Sequence, residues 1–176
     1  MNAITFRLTV FFAIATLSLS IYGQNVEGSN IVHKGEQVPD FSLNDENGQS
    51  FSIADQKGSI VLINFFATWC GPCVAEMPLL QDKVWLKYKD HTNFKFIAIG
   101  RGHNQSEVIA FKNKYKLGFP VYGDQDKSVY SKFATGYIPR NYIIDAEGTI
   151  VYASVGFTKE EFKKMTKTLN HLIISN

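Results

Sequence analysis

Cys70 and Cys73 are the only cysteines in this 176-residue chain. Two thiols separated by two residues can close a small disulfide ring and open it again, which is redox chemistry. The pair lies in Ala67-Thr68-Trp69-Cys70-Gly71-Pro72-Cys73, between a run that reads as a strand and one that reads as a helix. At a helix start, unpaired backbone N–H groups and the helix dipole favour an anion. Cys70 is therefore the expected attacking thiolate. Cys73, one turn further on, is spaced to attack a mixed disulfide from behind. Pro72 costs little in a first turn, and Gly71 lets a partner chain come close. Two blander roles fit less well. A structural bridge across so short a loop restricts the unfolded chain little. A structural zinc site usually takes four ligands, and the chain has no second cysteine pair and no close histidine pair.

The elements around the pair follow from periodicity. Residues 60–66 are apolar without alternation, which fits a strand covered on both faces. A helix is expected from about residue 70 to 88, with Val74, Met77, Leu80 and Trp85 as its apolar residues. Before them, Phe41 and Leu43, the turn pair Asn47-Gly48, and Phe51 and Ile53 read as a β-hairpin. Residues 94–99 form a second core strand. Asn104 and Glu107 look like a helix start, Val108, Phe111 and Tyr115 share one face, and Gly118 is the expected stop. Residues 119–121 read as a short extended piece, and Val129 and Phe133 as a short helix. Residues 141–144 and 149–152 form a hairpin about residues 145–148. Thr158 and Glu161 suggest a capping box for a last helix with Phe162, Met165, Leu169 and Leu172 on one face. Alternating strands and helices closed by a hairpin predict one α/β domain with a mixed central sheet flanked by helices.

Trp69-Cys70-Gly71-Pro72-Cys73 resembles the active site of the thioredoxin superfamily. Pro78 matches the proline that kinks that family's active-site helix. The resemblance covers roughly residues 38–174 and implies a thioredoxin fold. The N-terminal β-hairpin extension, with its Pro39-Asp40-Phe41-Ser42-Leu43 lead, and the stretch between Ile99 and Gly136, resembling a central insertion, are similar to the TlpA/ResA-like branch. The implied activity is thiol–disulfide oxidoreduction, with no cofactor and no metal.

The resemblance also implies roles for further residues. Pro139 would be the cis-proline packed against the disulfide, and Ile138 before it would pair its backbone with an extended substrate. Trp69, Gly71 and Pro72 would complete the substrate surface, with Trp69 packed beside the disulfide as a shield. Glu76, one helical turn after Cys73, would raise a thiol pKa and shuttle its proton. The other reading of Glu76 is an exposed acid favoured by the dipole. Asn64 stands where thioredoxin has a buried Asp, and Asn cannot exchange protons in the working range. Arg140, after the proline, would either stabilise the Cys70 thiolate or point to solvent. His33, His91, His103 and His171 have no metal-ligand spacing and read as surface residues. Gly100-Arg101-Gly102-His103 lacks a phosphate-loop pattern.

Residues 1–23 carry Arg7, an apolar run from Leu8 to Leu19, and small residues at Ser20 and Gly23. That is the shape of a secretory signal peptide, too short to span a membrane. Residues 24–37 read as a flexible lead-in, and 38–176 as the thioredoxin-like domain. Export, to the periplasm on this reading, makes oxidation of the thiols the default. The net charge of +2 from 18 basic and 16 acidic side chains offers no nucleic-acid partner and little steering. The expected function is an exported reductase acting on disulfide-bearing exported proteins, apocytochromes c awaiting haem among them. A membrane electron donor would re-reduce it. A disulfide oxidase or isomerase would use the same residues at a higher potential. A peroxidase would need a peroxide-reactive cysteine motif, which is not found. A copper-binding chaperone of the same fold usually has a three-residue gap and a distant His ligand, and the two-residue gap argues against it.

Overall fold

The structure, a computed structural model, describes residues 26–175. The expected signal peptide therefore lies outside the described residues. Strands β1 (Ser42–Asn44) and β2 (Ser50–Ser52) form the expected antiparallel hairpin, a small sheet of its own. The main sheet has β3 (Ile60–Phe66), β4 (Phe94–Arg101), β5 (Val121–Asp124), β6 (Arg140–Ile144) and β7 (Ile150–Val155). Its order is β5-β4-β3-β6-β7. β4 runs parallel to β3 and β5, while β6 is antiparallel to β3 and β7, so the sheet is mixed as expected. All seven residues of β3 are buried, which explains its unbroken apolar run.

Three helices flank the sheet: α1 (Gly71–Leu80), α2 (Gln105–Tyr115) and α3 (Lys159–Ser175). One face of the sheet packs Leu62, Phe66, Phe96 and Ile143 against Met77 and Leu80 of α1, Val108 and Phe111 of α2, and Met165 and Leu169 of α3. The other packs Ile63, Phe65 and Tyr142 against Phe41, Tyr130 and Phe133. After Pro78, which cannot donate to the carbonyl a turn earlier, the helix widens into a π-turn at Gln81–Trp85 before its last turn, Leu86–Tyr88. Asn104 and Glu107 form a full reciprocal capping box on α2. At α3, Thr158 Oγ1 accepts from the Glu161 N–H, but the Glu161 carboxylate accepts from the Tyr152 hydroxyl instead. Ile173, rather than Leu172, completes the buried face.

Two further expectations change. Gly118 does not supply the left-handed stop of α2. Lys116 does, at φ 53°. Gly118 is needed for close approach instead, since a Cβ there would lie 2.5 Å from Trp85 Nε1. Nor do residues 26–37 hang free of the domain. Asn30 bridges to Ala134, Gln37 bridges to Thr149, and Val32 is buried in the core.

Candidate active site

β3, the central strand of the sheet, delivers the chain at its C-terminal end, and Ala67–Cys70 turns it into α1. Cys70 is the N-cap of α1: its Sγ accepts from the Cys73 N–H at 3.3 Å. The two cysteines are joined as a disulfide. Their surroundings differ. Cys70 is 6% exposed, Cys73 is wholly buried, and Trp69 beside them is 70% exposed. Trp69 is therefore mostly in solvent rather than packed as a shield, and its ring is open to a partner. Gly71 and Pro72 are exposed on the first turn of α1.

The loop before β6 closes the site from the other side. The Ile138–Pro139 peptide is cis, and Cys70 Sγ lies 3.8 Å from the Ile138 carbonyl oxygen. The preceding residue, Tyr137, is 43% exposed and left-handed at φ 64°. Its carbonyl accepts from the Tyr130 hydroxyl at 2.8 Å and from Arg140 Nε at 3.0 Å.

Both readings of Arg140 give way to a third. The side chain is buried, neither in solvent nor tied to the thiols. It donates to the carbonyls of Gly136 and Tyr137, to Asn30 Oδ1, to the Tyr142 hydroxyl and to Ser29 Oγ. A buried guanidinium needs its donors filled, and here neutral oxygens from the N-terminal segment and the proline loop fill them. Arg140 thus pins the loop that carries Ile138 and Pro139.

Glu76 is 1% exposed, so the exposed-acid reading fails. Its Oε1 accepts from Asn141 Nδ2 at 2.8 Å, and its Oε2 from Asn64 Nδ2 at 3.1 Å. Asn64 Nδ2 also donates to Asn141 Oδ1 at 2.8 Å, leaving Asn64 Oδ1 buried without a partner. Burial pushes the Glu76 carboxyl from 4.5 up to about 7, against the smaller, opposing pull of the Asn141 and Asn64 hydrogen bonds. One turn from Cys73 there is thus a carboxyl that exchanges its proton near neutrality. That is the range a base for a thiol requires.

His103 departs from expectation as well. It is buried, and its Nε2 accepts from the Thr68 N–H at 3.1 Å. The only sign of this in the sequence is the set of glycines, Gly100, Gly102 and Gly123, of the kind that marks close backbone approach. Among the described residues no three His, Cys, Asp or Glu side chains cluster as metal ligands would. None of the described helices is long and apolar enough to cross a membrane.

A Cys-x-x-Cys disulfide capping a helix on a mixed sheet, facing a cis-proline loop, defines a thiol–disulfide oxidoreductase of the thioredoxin fold. Comparison with known proteins agrees. Residues 34–153 match the AhpC/TSA family, and the chain belongs to it. It is 30% identical over 147 residues to the thiol-disulfide oxidoreductase ResA of Bacillus subtilis, covering 84% of this chain and 81% of that one. The solved structure of a candidate protein disulfide isomerase from Bacteroides thetaiotaomicron is similar at TM-score 0.79 and 33% identity, over 82% of this chain and 92% of that one. A candidate thiol:disulfide interchange protein DsbE from Chlorobium tepidum is similar at TM-score 0.69 and 25% identity, over 81% and 99%.

Proposed function

We propose that this chain is an exported reductase of disulfides in extracytoplasmic proteins, apocytochromes c among them. The observation that carries the reading is the unequal setting of the two sulfurs. Cys70 stands at the rim beside exposed Trp69, whereas Cys73 is sealed behind it, one turn from a carboxyl held near pKa 7. Cys70 thiolate attacks a substrate disulfide, forming a mixed disulfide and expelling one substrate thiolate. Glu76 takes the proton of Cys73, whose thiolate attacks Cys70 Sγ. The second substrate thiolate leaves and the Cys70–Cys73 disulfide closes, so two electrons pass to the substrate. The proton held by Glu76 returns to a departing thiolate. Ile138 offers its backbone, and Trp69, Gly71, Pro72 and Pro139 its remaining contact surface, to an extended substrate. A membrane electron donor completes the cycle. The apolar N-terminal run supports export to the periplasm. An isomerase reading draws on the name of the Bacteroides relative and uses the same residues.

The test is Cys73→Ser, expressed with its leader in a bacterial host. Thiol-trapping should recover mixed disulfides with extracytoplasmic proteins through Cys70, sensitive to reductant and absent from Cys70→Ser. Recovery of no such adduct, or only of adducts with cytoplasmic proteins, would sink the reading.

A further inference from the structure

His103 follows β4 and is the one buried histidine of the described residues. Thr68 Oγ1 lies 3.4 Å from its Nε2, the nitrogen that accepts the Thr68 N–H. Its Nδ1 lies 3.5 Å from Glu107 Oε2. A ring nitrogen that accepts an N–H bond carries no proton, so the imidazole is neutral with its hydrogen on Nδ1 toward Glu107. Glu107 is itself fixed, since Oε2 accepts from the Asn104 N–H at 2.8 Å in the cap of α2. The backbone leaves room for this arrangement. A Cβ on Gly100 would lie 2.3 Å from Val108 Cγ1 and 3.4 Å from His103 Cβ, and one on Gly123 would lie 2.7 Å from the His103 carbonyl oxygen. Thr68 stands two residues before Cys70, in a turn closed by the Cys70 N–H to Ala67 carbonyl bond at 3.1 Å.

We propose that His103 is a positioning residue for the thiol chemistry: its neutral ring holds the Thr68 N–H and ties the loop presenting Cys70 to helix α2. The inserted segment between β4 and β6 thereby braces the active site.

The experiment follows hydrogen exchange of the Thr68 amide by NMR, and the reduction of a model disulfide peptide, in wild type, His103→Gln and His103→Phe. Gln keeps an acceptor oxygen and Phe has none. In wild type and His103→Gln the Thr68 amide should resist exchange and activity should agree within about threefold, whereas His103→Phe should open that amide to exchange and lose about tenfold in kcat/KM. A Thr68 amide equally protected in His103→Phe would overturn the proposal. So would wild-type rates in both variants. If His103→Phe fails to fold, the wild type still decides, because a trans-hydrogen-bond nitrogen–nitrogen coupling between the Thr68 amide and His103 Nε2 is expected there and its absence would overturn the proposal.

Discussion

Replacing Glu76 by Gln should change how stability depends on pH, by an amount the structure sets. The folded protein holds this carboxyl near 7, whereas in the unfolded chain it returns to its ordinary 4.5. Between those values the native state binds the proton and the unfolded state does not, so stability falls as pH rises through this window. At about 1.4 kcal/mol per pH unit, the interval is worth about 3 kcal/mol. Glu76 is almost wholly buried, so solvent screening removes little of this. Gln carries no charge at any pH. It offers one acceptor oxygen to the two donors, Asn64 Nδ2 and Asn141 Nδ2, and so starts with a penalty of about 1 kcal/mol that does not depend on pH. Between pH 4.5 and pH 8 the variant should therefore gain about 3 kcal/mol on wild type, or roughly 6–12 °C in Tm for a domain of this size. Urea unfolding of both oxidised proteins across that range measures it. At pH 7 the same variant should reduce a model disulfide about tenfold more slowly or worse, with the loss in kcat. Parallel stability curves would refute the burial argument, and an unchanged rate would refute the proton transfer.

Two further outcomes follow from the packing. Arg140→Lys should cost about 3 kcal/mol or more in urea unfolding, because an ammonium cannot reach the five acceptors on Ser29, Asn30, Gly136, Tyr137 and Tyr142. An unperturbed midpoint would mean that the guanidinium does not pin the proline loop. Gly118→Ala should cost about 1–3 kcal/mol and shift Trp85 fluorescence, since the new methyl would meet the indole 2.5 Å from Nε1.

The sequence and the structure agree where one residue type is enough to name the chemistry. Cys70 and Cys73 could be read because only thiols do this work, and β3 because strands covered on both faces are apolar throughout. The environment of Glu76 was less accessible. Its partners Asn64 and Asn141 are 77 positions apart and meet only because β6 pairs with β3 in that register. Arg140 misled for a related reason. Charged side chains are rarely buried, and the groups that make burial tolerable here include Ser29 and Asn30, about 110 residues earlier. His103 lies in a loop where no periodicity reports burial. The stop of α2 was misplaced because glycine serves both left-handed turns and close approach, and Gly118 serves the second.

The central claim concerns the direction in which the Cys70–Cys73 couple moves electrons. The most direct test is its reduction potential, by equilibration of the purified protein with glutathione. A value near or below about −250 mV is predicted, low enough for the dithiol to drive substrate disulfides open. A value above about −180 mV would contradict the account and make the protein an oxidase or isomerase built on the same residues.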